Sequence, residues 1–211
     1  MNLQFEAQSQ VIVVAGNSGS GKSTFVIRYL LNGKFSARFI FDPRGEYAVR
    51  FKRRAVALPS ELTASLQTGY TIFDPHPKFP GDENRAFENF CEWSHHMAGK
   101  ILGRKIFFVD EVWKHCSPNK IPLALARIVQ DGRKNGITLI TSTQRPNRIN
   151  EAILNECNEL VSFRLRGRNA LNILTAYDEE FPVDELPQLT PLHFIARNLD
   201  TGGELRGVIK F

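Results

Sequence analysis

Residues 11–25 read VIVVAGNSGSGKSTF, and this stretch decides the fold. Residues 11–14 form a short run of β-branched side chains, which is typical of a fully buried parallel strand. Residues 16–23 then fit the pattern G-x-x-x-x-G-K-S/T at every position. The apolar spacing of residues 24–31 predicts a helix, and the pair Asn32–Gly33 is a stop signal for it. A strand, a glycine-rich loop and a helix in this order predict a phosphate-binding loop.

The residue types in this loop suit the chemistry of nucleotide binding. Glycines allow the backbone to fold around an anion, so that successive N–H groups point at a phosphate from a helix N-terminus. We expect Lys22 to reach the β- and γ-phosphates and the Ser23 hydroxyl to bind Mg²⁺. The predicted nucleotide-binding residues are Gly16, Asn17, Ser18, Gly19, Ser20, Gly21, Lys22, Ser23 and Thr24.

The composition is that of an ordinary globular protein. With 211 residues, the chain is long enough to bury a core. Its residues are 42% hydrophobic and 23% charged, which is unlike the composition of a disordered chain. The cysteines, Cys91, Cys116 and Cys157, are widely spaced, which favours free thiols in a reducing compartment. A formal net charge of +5 permits a polyanionic partner without requiring one. We expect a single P-loop ATPase domain over residues 1–211, with no apolar run long enough to cross a membrane.

Strand and helix patterns alternate along the rest of the chain. Strands are expected at 38–42, 54–58, 70–74, 105–110, 137–142, 159–165, 192–197 and 204–210. Helices are expected between many of them, at 60–67, 84–99, 120–134, 149–156 and 168–177. The alternation predicts an α/β fold with a mainly parallel central sheet and helices on both faces. Together with the phosphate-binding loop, this fold resembles that of the RecA-like P-loop NTPases. The last two strands are expected to form an antiparallel edge.

Two acidic residues stand at the end of the strand expected at 105–110. Residues 106–109, IFFV, form a second buried run, and Asp110 and Glu111 follow it. Ligands bind at the carboxyl ends of the strands in an open α/β sheet. We expect Asp110 to hold the Mg²⁺ shell and Glu111 to polarise the attacking water, with Glu46 or Asp42 as the next candidates for the second role. The second acid favours a hydrolase over a small-molecule kinase.

Other classes of P-loop protein should leave patterns that this sequence lacks. A GTPase should contain N-K-x-D, but the pair Asn119–Lys120 is followed by isoleucine and proline. The LSGGQ signature of ABC proteins is missing, and a helicase with two tandem motor domains needs a longer chain. A single-domain ATPase that completes its site with a neighbouring subunit remains.

Residues 127–148, RIVQDGRKNGITLITSTQRPNR, carry a resemblance to a known family. They resemble the FtsK–HerA superfamily of DNA-translocating ATPases, whose pattern runs GR(K/A)xGI and then TQRP. Residues 41–47, FDPRGEY, and 149–165, INEAILNECNELVSFRL, resemble further segments of the HerA branch. The resemblance covers most of residues 10–175.

The resemblance implies roles for individual residues. Lys22 and Ser23 match the phosphate and metal ligands of the family, and Asp110 and Glu111 match its Walker B pair. Gln144 matches its γ-phosphate sensor, since the strand before it is expected to lie beside the P-loop strand.

Arg133 matches the arginine that the family places at the subunit boundary, where it acts in trans on the neighbour's γ-phosphate. A guanidinium suits this role, because it can meet the equatorial oxygens of a transferring phosphoryl group. The alternative for Arg133 is a cation that complements a helix dipole. The rivals for the role in trans are Arg127, Arg145 and Arg164.

The layout is similar to that of the genome-packaging ATPases of internal-membrane phages and archaeal viruses. The P-loop begins at residue 16 and the sheet is expected to fill the rest, which leaves no room for an N-terminal barrel or membrane helices. The resemblance implies a homo-oligomeric ring of five or six subunits that moves double-stranded DNA into a capsid, docked on a capsid vertex or a membrane protein. Its expected location is the host cytoplasm or the virion. The alternatives are a Zot-like export ATPase of phage morphogenesis and an ATP-dependent switch that does not act on DNA.

Two basic clusters are candidates for DNA binding. One lies at residues 44–54, and in the other Arg164, Arg166 and Arg168 alternate with apolar residues, which would place the first two on one face of a strand. Either cluster could line a pore and contact phosphates without reading sequence, or form a solvated face or salt bridges between subunits. The predicted DNA-binding residues are Arg50, Lys52, Arg53, Arg54, Arg166 and Arg168.

Overall fold

The structure is a computed structural model that describes residues 11–210. These residues divide into two compact units. The first unit comprises Ile27–Asp110 and Pro122–Leu139, and the second comprises 11–26, Glu111–Ile121 and 140–210. The predicted domain of residues 1–211 extends beyond the described residues and stays a prediction.

In the part of the chain that the structure describes, eight strands form the sheet. They are β1 (Val11–Ala15), β2 (Ala37–Phe41), β3 (Tyr70–Phe73), β4 (Lys105–Asp110), β5 (Ile137–Thr143), β6 (Cys157–Phe163), β7 (His193–Asn198) and β8 (Glu204–Val208). Their order in the sheet is β3-β2-β4-β5-β1-β6-β7-β8. β2 pairs in parallel with β3 and β4, and β1 pairs in parallel with β6, whereas β7 is antiparallel to both β6 and β8. The predicted mainly parallel α/β sheet with an antiparallel edge is therefore confirmed, as is the place of β5 beside β1.

Within the described residues, seven α-helices connect the strands. They are α1 (Lys22–Asn32), α2 (Glu46–Phe51), α3 (Pro59–Ser65), α4 (Glu83–Ala98), α5 (Leu123–Asp131), α6 (Glu151–Asn155) and α7 (Arg168–Tyr177). Short 3₁₀ turns occur at Leu66–Thr68, Val112–Lys114, Pro146–Arg148 and Leu186–Gln188. Within residues 11–210, no helix is long and apolar enough to cross a membrane.

Aromatic side chains fill the core of the first unit. All five residues of β2 are buried, and in α4 Phe87, Phe90 and Cys91 are buried at the spacing of one helix face. The Phe90 ring stacks on Phe73 with their centroids 5.0 Å apart, and the centroid of Phe107 lies 5.6 Å from it. This cluster packs α4 against the strands of the unit.

A smaller aromatic group holds the start of α1 in the second unit. The ring centroid of Phe25 lies 5.9 Å from that of Phe163 and 5.3 Å from that of Phe194, and both contacts are edge-on. Phe25 is in the first turns of α1, whereas the other two belong to β6 and β7. The segment after the P-loop is therefore packed directly against the sheet of its own unit.

The outermost strand of the second unit, β8, is largely exposed. Glu204, Leu205 and Arg206 all face solvent to a large extent. The Arg206 guanidinium bridges Glu204 of the same strand (2.7 Å) and Glu185 (2.9 Å). The exposed edge of this unit is therefore charged.

Two features of the first unit differ from the sequence predictions. Residues 54–58 were expected to form a strand, but they contribute a single bridge, between Val56 and Phe73. This segment is confined between Lys52, which has a left-handed backbone (φ 51°), and Pro59, which begins α3. The helix α2 was not predicted, because six residues are too few to display a helical period.

In the second unit β6 runs from Cys157 to Phe163, two residues earlier than the strand predicted at 159–165. Arg164 and Arg166 consequently lie beyond the end of the strand. The prediction that they share one strand face is wrong. All three cysteines are free thiols, with Cys91 and Cys157 buried.

Candidate active site

The glycine-rich loop between β1 and α1 has the backbone that its sequence predicts. Gly19 and Gly21 take the positive φ values of 70° and 124°. A Cβ atom at Gly21 would lie 2.9 Å from the Phe163 ring, so no larger residue fits there without a shift. Nothing lies within 4 Å of a Cβ at Gly19, so the loop backbone faces open space at that point. A close approach on one side and open space on the other suit a loop that receives an anion.

Three backbone hydrogen bonds fix the loop to other segments of the second unit. They run from Gly16 N–H to Thr143 O (3.1 Å), from Asn17 N–H to Arg164 O (2.8 Å) and from Leu192 N–H to Ser20 O (2.8 Å). Thr143 is the last residue of β5, Arg164 directly follows β6, and Leu192 directly precedes β7. The loop is therefore held rigid before any ligand binds.

The polar groups of the loop fit a phosphate. Lys22 is only 7% exposed, and its Nζ donates a hydrogen bond to Asn17 O (3.0 Å). The buried Ser20 hydroxyl has no hydrogen-bond partner within residues 11–210. A buried hydroxyl without a partner is unfavourable, and a phosphate oxygen could accept its proton. Ser23 and Thr24 are half-buried in the first turn of α1.

Glu111 is constrained in both its side chain and its backbone. It is 8% exposed, and its backbone is left-handed, with φ 54° and ψ 52°. A residue other than glycine in this region costs on the order of 1–3 kcal/mol, and such strain clusters at functional sites. The backbone N–H of Glu111 donates to Ser142 O (2.8 Å), which ties this strained residue to β5.

Three donors converge on the Glu111 carboxylate. The backbone N–H of Gln144 lies 3.2 Å from each carboxylate oxygen, and the Thr143 hydroxyl donates to Oε2 over 3.4 Å. The indole Nε1–H of Trp113 also donates to Oε2. The carboxylate is therefore oriented by the end of β5 and by the 3₁₀ turn that follows it in the chain. Sequence reasoning gave neither Thr143 nor Trp113 a role, because the first contact spans 32 residues of chain and the second depends on the conformation of the 3₁₀ turn.

The other acidic candidates have different surroundings. Asp110 is the last residue of β4, belongs to the first unit and is half-buried. In the same unit Asp42 is buried, and its Oδ2 accepts the backbone N–H groups of Tyr47 and Ala48, both at 2.9 Å. Burial raises the pKa of the Asp42 carboxyl, and the two N–H groups partly oppose this shift. Asp42 therefore caps α2, while Glu46 is exposed in the first turn of that helix.

Gln144 and Arg133 lie at opposite ends of one strand. Gln144 directly follows β5 and its side chain is exposed, whereas Arg133 is exposed in the turn that precedes β5. Within residues 11–210, the Arg133 side chain makes no hydrogen bond or ion pair. Its neighbour Lys134 pairs with Asp131 at the end of α5 (3.0 Å). The local contact at this helix end thus belongs to Lys134, which leaves Arg133 available to another molecule.

The basic residues predicted to bind DNA fall into two places. Arg53 lies over the Tyr70 ring, 4.2 Å from its centroid, and Arg54 pairs with Glu61 (2.8 Å). Arg50 and Lys52 are exposed at the end of α2.

Arg166 and Arg168 do not extend a strand. They line a cleft of the second unit together with Gln144, Arg145 and Arg148. The last two residues had no assigned part in DNA binding.

No protein-family model matches the chain. A curated relative, the ucp12 protein of Schizosaccharomyces pombe, named as a candidate ATP-dependent RNA helicase, is 27% identical over 138 residues. The match covers 57% of this chain and 10% of that protein, so the chain spans about a tenth of its relative's length.

Solved structures resemble the chain over nearly its whole length. The genome-packaging NTPase B204 of Sulfolobus turreted icosahedral virus 2, in complex with AMP, has a TM-score of 0.77 at 19% identity, and the match covers 96% of this chain and 98% of that one. VirB4 of Thermoanaerobacter pseudethanolicus has a TM-score of 0.72 at 13% identity, covering 95% and 89%. The N-terminal domain of zonular occludens toxin from Neisseria meningitidis has a TM-score of 0.55 at 13% identity, covering 97% and 96%.

All three structures are at most 19% identical to the chain. At these identities the likeness concerns the fold. The chain therefore has the fold of the P-loop NTPases, as its glycine-rich loop and sheet predict.

Proposed function

We propose that the chain is an ATPase that couples hydrolysis to the movement of double-stranded DNA, as a viral genome-packaging motor. The observation that carries this proposal is Glu111, a buried and strained carboxylate oriented by three donors in the same unit as a fully formed P-loop. An acid held in this way suits a general base, because its position is fixed before substrate binds. The B204 fold supports the packaging assignment.

Each part of the site has a place in this chemistry. The loop N–H groups, Lys22 and the Ser20 hydroxyl bind the phosphates of ATP, and Glu111 orients the attacking water and accepts its proton. Mg²⁺ would be held by Ser23 and Asp110, which supply a hydroxyl and a carboxylate, the hard oxygen donors that it prefers. When bound, the ion neutralises charge that develops on the phosphates. The binding of Mg²⁺ by these two residues stays a prediction.

The assembly and its partners also belong to the proposal. We expect a homo-oligomeric ring, docked on a capsid vertex or a membrane protein, in the host cytoplasm or the virion. The likeness to the domain of zonular occludens toxin keeps a Zot-like export ATPase as the second candidate. An ATP-dependent switch without a role in DNA movement is the third. The response of hydrolysis to DNA separates the first proposal from the other two.

Double-stranded DNA should stimulate hydrolysis to similar extents whatever its sequence, because phosphate contacts carry no sequence information. Binding should weaken with salt, with a log–log slope of about −0.9 for each phosphate that is neutralised. The double variant Arg50→Gln/Lys52→Gln should make this slope shallower by up to about two units, since both side chains are exposed and make no ion pair within residues 11–210. Arg54→Gln should change it less, because Arg54 already pairs with Glu61.

The measurement is ATP turnover and DNA binding over a series of salt concentrations. Lys78→Gln/Arg85→Gln is the matched control, because it removes two exposed positive charges elsewhere in the first unit. Hydrolysis that ignores DNA at every salt and protein concentration would refute DNA translocation. The proposal that the chain hydrolyses ATP would remain, and the export ATPase or the ATP-dependent switch would then be its function.

Arg133 can be tested as a group that acts on a neighbouring subunit. Arg133→Ala and Lys22→Ala subunits should each be inactive alone and should regain ATP hydrolysis when they are co-assembled. In an equal mixture, about one interface in four joins an intact P-loop to an intact Arg133 if subunits assemble at random through head-to-tail contacts. Lys134→Ala is the matched control and should stay active, because Lys134 pairs locally with Asp131. Verified mixed oligomers without activity would contradict the role in trans.

A further inference from the structure

A cleft of about 450 Å³ in the second unit is lined by four exposed arginines, Arg145, Arg148, Arg166 and Arg168. We name it the arginine cleft. Its other lining residues are neutral, and Gln144 is one of them. Within residues 11–210, none of the four guanidinium groups makes an ion pair. The cleft thus concentrates positive charge that the protein itself does not neutralise.

This arrangement differs from that of Arg197 and Arg206 in the same unit. Arg197 pairs with Asp178 and Glu180, and Arg206 pairs with Glu185 and Glu204. Unpaired guanidinium groups that share one cleft repel each other, and an anion with several oxygens removes this repulsion. Phosphate suits the cleft, because the planar fork of arginine donates two parallel hydrogen bonds to its oxygens.

The backbone beside the cleft favours the same kind of ligand. The ten-residue helix α7 begins at Arg168, and no side chain caps its first turn at Gly167. Nothing lies within 4 Å of a Cβ at Gly167, so the helix start is open. The N–H groups at a helix start favour negative charge, which adds to the attraction by the four arginines.

Two of the four arginines also contact Trp113. The guanidinium carbons of Arg145 and Arg148 lie 5.2 Å and 5.3 Å from the centroid of a Trp113 ring. Trp113 in turn donates its Nε1–H to Glu111 Oε2. One indole ring therefore connects the arginine cleft to the carboxylate that we propose as the general base.

We propose that the arginine cleft binds phosphate groups and that this binding releases Glu111 from Trp113. This inference rests on the proposed function and adds its regulation. Without the anion, the indole N–H occupies a carboxylate oxygen that the attacking water needs, and after release the Gln144 N–H and the Thr143 hydroxyl still orient the carboxylate. Phosphate oxygens draw Arg145 and Arg148 off the indole face, and the ring is then free to turn its N–H away from Glu111. The phosphates belong either to the DNA backbone or to a nucleotide held by a second copy of the chain, which present the same oxygens.

Trp113 is thus a positioning residue, and Trp113→Phe tests this role directly. Phenylalanine keeps an aromatic ring for Arg145 and Arg148 but removes the N–H donor. Hydrolysis without DNA should rise by about tenfold, which corresponds to the loss of one hydrogen bond to a charged group. The stimulation by DNA should shrink by a similar factor. Trp93→Phe is the matched control, because Trp93 belongs to α4 in the first unit, and both values should stay at wild-type level.

A second measurement follows the cleft by fluorescence. The chain has two tryptophans, so Trp93→Phe leaves Trp113 as the only one. Its emission should change when arginines leave the ring face, and Arg166→Gln/Arg168→Gln should suppress that change. Lys78→Gln/Arg85→Gln should not. Two probes identify the source of the phosphate, namely duplex DNA without nucleotide, and a non-hydrolysable ATP analogue without DNA at increasing protein concentration.

A response to duplex DNA supports the cleft as a site for the DNA backbone. A response to the analogue alone, growing with protein concentration, supports a nucleotide from a second copy. The inference would be overturned if Trp113 emission changed with neither probe. It would also be overturned if Trp113→Phe protein hydrolysed ATP and responded to DNA as the wild type does. If Trp113→Phe protein behaves as the wild type does and DNA stimulates both, the proposed function remains intact. Wild-type hydrolysis that ignores DNA would refute the proposed function, while Trp113 emission would still decide whether the cleft binds phosphate.

Discussion

ATP hydrolysis should fall by at least about 10²–10³-fold in Lys22→Ala protein, since removing one preorganised donor to a charged transition state costs a factor of this size. Lys22 is the cation of the loop, and its Nζ already lies 3.0 Å from Asn17 O, so the side chain is held at the loop before a nucleotide binds. The alanine variant loses both the charge and this internal support. ATP turnover and the affinity for a non-hydrolysable analogue are the two measurements.

The matched control for this variant is Lys34→Ala. Lys34 is exposed just beyond the end of α1, and its removal changes the net charge by the same amount. It should leave both turnover and affinity at wild-type level. Near-normal hydrolysis by Lys22→Ala protein would contradict the assignment of residues 16–23 as a nucleotide-binding loop, and the ATPase proposal would fall with it.

Glu111→Gln should bind ATP but hydrolyse it about 10²–10⁴-fold more slowly, which is the usual contribution of general acid–base catalysis. The amide keeps the shape of the side chain. Its oxygen can take the place of Oε2, where it still accepts the hydrogen bonds from Trp113 and Thr143. The loss should therefore appear in the rate of hydrolysis and not in the binding of the analogue.

Glu46→Gln is the control for this second variant. Glu46 is an exposed acid in the first turn of α2, and it was a candidate for the same role. Its replacement should change turnover little. A loss of less than tenfold in Glu111→Gln protein would move the general base elsewhere.

Much of the fold could be predicted from local patterns. The buried strands β1 and β4 are continuous apolar runs, and a run of this kind indicates a strand wherever the rest of the chain lies. The same reasoning gave a wrong strand at 54–58, because these residues are confined between the left-handed Lys52 and Pro59, which begins α3. The short α2 was missed because six residues are too few to display a helical period, and its first-turn N–H groups bond to Asp42, which directly follows β2.

The candidate site divides in the same way. The P-loop is contiguous, so its sequence pattern is enough to place it. The surroundings of Glu111 depend on contacts across 32 and 33 residues of chain, to Thr143 and Gln144. No periodicity in the sequence encodes such contacts. Trp113 stands only two positions after Glu111, but its role depends on the 3₁₀ turn at Val112–Lys114, which brings the indole back to the carboxylate.

The charged strand β8 limits the ways in which copies of this chain can associate, because its charges oppose aggregation through the sheet edge. An exposed edge strand offers unpaired N–H and C=O groups, which invite a strand of another molecule and lead to aggregation. Glu204 and Arg206 stand on this edge, and Arg206 is bound to Glu185 as well, so an incoming strand would have to bury these charges. Endless growth of the sheet from one molecule to the next is therefore disfavoured. Any ordered assembly of the chain should use side-chain surfaces instead, which can close upon themselves at a fixed number of copies.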